Sequence, residues 1–220
     1  NAVCDIVHYN GPKTEEIKAY LDQNNIECVA ENDGLTIRGQ SAHGSFPHKG
    51  VSAITWALEA INEAGIYHPL AKFSNEYLHN KLDLKEIVGD LTDETGPLTV
   101  CAGKVDIDKT EFKLTFNLRI PCTRDPKVDV NDKLQAFFEA KLNSQYQVVG
   151  NEDRVFFDLN SDTIKNIMKV YQEVTGDTTS KPIAIGGGTF AKSMPNLVAF
   201  GAEFDIDNTS MHTNNEFVLI

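Results

Sequence analysis

No apolar run in this sequence approaches the length needed to cross a membrane, and none reads as a signal peptide. Its cysteines are few. Cys4, Cys28, Cys101 and Cys122 stand far apart, with no C-x-x-C pair and no zinc-finger spacing, so they read as free thiols in a reducing compartment and the expected location is the cytoplasm. A basic stripe is missing too. Lys and Arg total 20 against 32 Asp and Glu, a net charge of −12 with a pI near 4.9, which argues against nucleic acid or an anionic membrane as partner. Arginine occurs only at Arg38, Arg119, Arg124 and Arg154. Each is therefore a candidate for a specific anion contact.

What remains is ordinary globular material: 220 residues, 41% hydrophobic and 24% charged, enough for one large domain or two smaller ones. The chain opens at Asn1-Ala2 directly on an apolar stretch and closes on Phe217-Val218-Leu219-Ile220. Natural domains rarely stop inside an apolar run, so an excised piece of a longer protein is expected.

The patterning predicts a first unit in the order strand (3–8), helix (14–24), strand (26–31), strand (35–39) and helix (51–64). Thr14 is expected to cap the first helix, with the acidic Glu15 and Glu16 at its start, and Asn32-Asp33-Gly34 is a hairpin signal. This βαββα order predicts an α+β lobe with an antiparallel sheet and helices on one face. A second lobe is expected to echo it: helix over 73–88, strands over 98–107 and 111–120, a loop over 121–127, helix over 130–142 and strand over 146–151. From residue 155 the pattern changes. A helix over 162–175 ends at Gly176, and apolar runs at 182–185 and 197–201 predict strands of an α/β piece too short to hold a core of its own.

Four features could carry chemistry. "IRGQSAHGSFPHKGVSAI" places His43 where a strand hands over to a helix, with Ser45 and Ser52 offering capping oxygens; the plainer reading is a histidine that satisfies local backbone. Arg119 closes the strand "FKLTFNLRIP" on its polar face. There it is either a solvated arginine or a fork for a carboxylate. "IGGGTFAK" sets Gly186, Gly187, Gly188 and Thr189 between a strand and a helix-like start. It is no Walker loop, and a backbone anion cradle and a tight packed turn are equally supported. "NTSMHTNNEF" isolates His212, one histidine where a zinc site needs three or four ligands.

Taken in order, "GLTIRGQSAHGSFPHKGVSAI", "FNLRIP", "IGGGTFAKSMPNLVAFGAEF" and "MHTNNE" resemble the second half of the peptidase V type enzymes (Xaa-His dipeptidases, carnosinase-like) of the dinuclear-zinc aminoacylase and dipeptidase clan. The resemblance implies a lid of two fused, ferredoxin-like α+β lobes over residues 1–154, and the C-terminal portion of the zinc-binding domain over 155–220. It implies that His43 reaches the scissile carbonyl and Arg119 grips the C-terminal carboxylate of a dipeptide. It further implies that Gly186 to Thr189 hold the same carboxylate and that His212 binds one of two zinc ions. The clan's other zinc ligands and its general-base glutamate belong to the N-terminal half, and no H-x-D motif or suitable Glu-Glu pair is found here.

The expected activity is therefore that of a metallodipeptidase parent, monomeric by virtue of the fused lid. The piece itself is expected to be inactive, to bind zinc weakly if at all, and to self-associate through open strand edges. Two other readings stand beside it: a non-catalytic α+β module for amino-acid binding or dimerisation, and a deacylase or aminocarboxypeptidase of the same clan.

Overall fold

The computed structural model describes residues 2–107 and 112–201. Its first unit is built as the patterning predicts. Strand β1 (Ile6–Tyr9), helix α1 (Thr14–Gln23), strands β2 (Cys28–Glu31) and β3 (Gly34–Arg38), and helix α2 (Ala53–Glu63) follow one another. The sheet runs β1-β3-β2, all antiparallel, with Val7 opposite Ile37 and Cys28 opposite Ile37 on the other side. Ile17 and Leu21 of α1, Leu35 and Ile37 of β3, and Ile54, Leu58 and Ile61 of α2 are buried together in one core. Apolar residues at helical spacing on α2 and the buried run of β3 produce it. One expected cap is corrected: Thr14 is the first helical residue. Lys13 stands at the cap position with φ 60° and makes no side-chain cap, so the acidic Glu15 and Glu16 carry the helix start.

The second unit departs further. The helix expected over 73–88 is two helices, α3 (Pro69–Tyr77) and α4 (Lys85–Val88), because Asn80 and Leu84 take positive φ between them. His68 and Pro69 start α3 earlier than the apolar period suggests. A short hairpin, β4 (Thr92–Asp93) with β5 (Gly96–Pro97), precedes the long ribbon of β6 (Thr99–Ile107) and β7 (Phe112–Arg119). The loop expected over 121–127 gives way at Pro126 to a π-helical turn that runs into α5 (Asp132–Leu142). Residues 146–151 form no strand, so the ribbon stays two-stranded and the second lobe lacks the sheet of the first. Phe73, Leu84, Val88, Leu98, Val100, Val130, Leu134 and Phe138 close a second core.

Beyond residue 150, helix α6 (Asp162–Thr175) forms with Ser161 as its cap and Gly176 at φ 74° as its stop. The strands expected at 182–185 and 197–201 are absent. No described strand lies alongside to pair their backbones, and Ile183 is 67% exposed. Ile164 and Ala191 are the buried apolar side chains among the described residues of this stretch. Across the described residues the four cysteines are free thiols, and no described helix is long and apolar enough to cross a membrane.

Helix α3 is bracketed by two histidines. Leu70 N–H donates to His68 Nδ1 (3.2 Å), capping the helix start. His79 lies beyond the other end, edge-on to Trp56 with ring centroids 4.6 Å apart. Burial lowers both pKa values, and at His79 the Glu59 carboxylate opposes the shift without cancelling it. Because the folded values lie below the unfolded one, the unfolded chain takes up protons first as pH falls through about 6.5. Stability is therefore retained above that pH and lost below it, at up to about 1.4 kcal/mol per pH unit for each histidine. Melting temperature is expected to fall between pH 7 and 5, and the slope to flatten in His68→Asn/His79→Gln, where Asn keeps a capping oxygen. An unchanged slope in that variant refutes the assignment.

Candidate functional site

His43 sits in a loop closed at its base by backbone bonds. Gln40 and Val51 exchange both N–H···O bonds at 2.9 Å, and Val3 N–H donates to Ala42 O at 2.9 Å. The strand leaving β3 and the segment entering α2 come so close that a Cβ on Gly39 would run into Val51 O, which is why glycine ends that strand. Inside the loop, Phe46 N–H donates to His43 O (2.8 Å), and a 3₁₀ turn over Pro47–Lys49 returns the chain to Gly50. Ser52 caps α2, its Oγ accepting from Thr55 N–H at 3.3 Å. Ser45 caps no helix. Its backbone N–H instead donates to His43 Nδ1 at 3.2 Å. With Nδ1 engaged as an acceptor, a neutral His43 carries its proton on Nε2.

Arg119 ends β7, opposite Thr99. Its guanidinium is partly buried, and Nε finds no hydrogen-bond partner among the described residues. A buried N–H without an acceptor is costly, so an incoming carboxylate would gain from it. The turn that follows Arg119 is held by Asp93. One carboxylate oxygen accepts from Thr95 N–H and Oγ1–H, both at 2.6 Å, and the other from Thr123 N–H (2.7 Å) and Oγ1–H (2.8 Å). Arg124 Nη2–H donates to Thr92 O (2.8 Å), and Arg154 donates to Cys122 O.

The glycine loop meets both residues. A Cβ on Gly186 would collide with Ser45 Oγ and lie 3.6 Å from Arg119 Cγ, and one on Gly187 would lie 3.9 Å from His43 Cε1. The loop then turns away. A Cβ on Gly188 would face Glu152 Oε2 at 3.1 Å, the carboxylate that pairs with Lys192 at 2.6 Å. Thr189 is spent as the cap of a 3₁₀ turn, its Oγ1 accepting from Ala191 N–H at 3.2 Å. So His43, Arg119, Gly186 and Gly187 come together, whereas Gly188 and Thr189 stand to one side. His212 lies outside the described residues. The trough lined by Ser45, Arg119, Gly186 and Gly187, of roughly 3580 Å³, is far larger than a pocket shaped for a small molecule. Among the described residues no group of three or more His, Cys, Asp and Glu is placed to hold a metal ion; these residues do not make a zinc site.

Sequence reasoning gave Ser45 a capping oxygen and no link to the His43 ring, and it passed over Asp93. The Ser45 amide had a faint signal, since an amide two residues after a histidine can reach its Nδ1 within a turn; Asp93 had only its local bond to Thr95, because its other partner, Thr123, is 30 residues away.

A family model described as a peptidase dimerisation domain matches residues 34–149. A protein of Staphylococcus haemolyticus named "Putative dipeptidase" is 29% identical over 221 residues, covering 93% of this chain and 45% of that protein. Proteins of the same name in Staphylococcus aureus strains USA300 and NCTC 8325 are 30% identical over 218 residues, with the same coverage. The chain thus spans less than half the length of these curated relatives.

Burial pushes the Asp93 carboxyl up, but the bonds from Thr95 and Thr123 outweigh it and hold the pKa at about 2. A depressed carboxylate contributes stability above its unfolded pKa and loses it as pH falls through the folded value. Asp93→Ala is expected to cost about 1–2 kcal/mol, discounted for partial exposure, and to loosen the turn after Arg119. Denaturant melts check the first, and faster amide exchange at Cys122 and Thr123 the second.

Proposed function

The chain belongs to the peptidase dimerisation domain family, and from that membership we propose that it is the lid and an adjoining part of a dipeptidase of the peptidase V type. In this reading residues 1–154 form the lid and 155–220 a portion of the zinc-binding domain. The observation that carries it is the meeting of His43, Arg119, Gly186 and Gly187, which lie far apart in sequence. His43 Nε2–H supplies a donor for the negative charge that develops on a scissile carbonyl oxygen. Arg119 offers a planar fork to the substrate's C-terminal carboxylate. Gly186 and Gly187 allow backbone to approach that carboxylate without a side chain between. The clan's two zinc ions would activate the attacking water, with His212 as one ligand. The described residues do not by themselves fit a metal.

A second reading, self-association, is favoured by the family description and by β2, an edge strand with Val29 45% exposed. Sedimentation of the purified chain tests it.

The 220-residue chain is expected to release no amino acids from dipeptides with zinc, manganese or cobalt added; metal-dependent release would overturn the proposed division of the site. In a longer protein that contains this chain and hydrolyses dipeptides, His43→Ala should lower kcat about 10²–10³-fold with a smaller change in KM. Arg119→Ala should raise KM for dipeptides with a free carboxylate and leave amidated ones little changed. An unaltered ratio between the two substrates removes Arg119 from the role.

A further inference from the structure

One residue makes two separate contacts that tie the candidate site together. The backbone N–H of Ser45 holds His43 Nδ1 at 3.2 Å, which sets both the tautomer and the plane of the ring. Its side chain lies against the glycine loop, where a Cβ on Gly186 would strike Ser45 Oγ and stand 2.7 Å from Ser45 Cβ. Gly186 is not in the left-handed region, so its backbone would accept alanine; only the neighbour forbids it. A Cβ on Gly187 would meet His43 Cε1 at 3.9 Å, an ordinary contact. Ser45 Oγ is buried and has no hydrogen-bond partner among the described residues. What the side chain contributes at the loop is therefore shape.

We propose that Ser45 is a positioning residue, its amide setting His43 and its side chain seating Gly186, so that carbonyl donor and carboxylate cradle keep one spacing. In a dipeptide the scissile carbonyl and the terminal carboxylate are separated by a single residue whatever its side chain. A fixed spacing between the groups that bind them sets the reacting carbonyl one residue from the carboxylate and so directs cleavage to the C-terminal peptide bond, which geometric placement alone can do. This deepens the roles proposed above for His43 and the loop and rests on them. Its test reads ring geometry and not hydrolysis, so the two can fail separately.

The experiment is long-range ¹H–¹⁵N spectroscopy of the full chain labelled at histidine, with His43 assigned by the loss of its signals in His43→Gln. The wild-type chain at pH 8 should show the neutral form protonated at Nε2. Gly186→Ala should shift the His43 ring signals, and Gly187→Ala should leave them close to wild type. Ser45→Gly keeps the amide and should keep the tautomer. Ser45→Gly/Gly186→Ala should return the His43 signals to those of Ser45→Gly alone. If Gly186→Ala disturbs the whole fold, the signals of the other histidines will show it, and their recovery in the double variant supports the same seat. A His43 protonated at Nδ1, a Gly186→Ala spectrum identical to wild type, or a disturbance that persists in the double variant would each overturn the proposal.

Discussion

The ribbon of β6 and β7 is the element on which the rest depends. Its residues lie in both cores: Ala102 and Val105 pack with the first, Val100, Phe116 and Leu118 with the second, and Leu114 with both. Neither unit keeps a complete core without it. Between Ala102 and Lys104 the register shifts, leaving Gly103 as the extra residue. Such a bulge sharpens strand twist, and it falls where the ribbon passes from one core to the other. Arg119 is the last residue of this ribbon. Its place in space is thereby set by a ladder of backbone bonds and two packed faces, which is more rigid support than a loop would give.

The histidines share one local device. In both His43 and His68 the ring Nδ1 accepts from the amide two residues on, at 3.2 Å. At His68 the result is a helix cap; at His43 it is a ring whose outer nitrogen is a donor. The same small motif thus serves stability in one place and supports the proposed chemistry in the other. The difference lies in what stands beyond the ring: Phe112 beside His68, and the glycine loop beside His43.

The match to the peptidase dimerisation domain family covers residues 34–149, and that span ends near the point where the packing thins. From residue 150 onward the described side chains are mostly exposed, with Phe190 at 93%. The glycine loop is nonetheless held at its start by Ser45 and Arg119 and followed by the Lys192–Glu152 pair. The ion pair keeps the Glu152 carboxyl below its usual range, with Arg119 adding to the effect. A loop with little core beneath it keeps its position through a few specific contacts.

Periodicity and turn chemistry were enough for the first unit, for the β6–β7 ribbon and for α6 between Ser161 and Gly176, because each is decided by neighbours within a few residues. Individual residue types were enough to single out His43, Arg119 and the glycine run as places where chemistry could occur. Periodicity failed at 73–88, where two positive-φ residues break an apolar repeat, and at 146–151, 182–185 and 197–201, where an apolar run needs a partner strand before it becomes one. Only the tertiary structure decided that Gly186 and Gly187 face His43 and Arg119 while Gly188 and Thr189 do not, and that Asp93 holds the turn beyond Arg119. Those contacts join residues up to about 140 positions apart in the chain, and no local pattern records which distant backbone will arrive beside a given side chain.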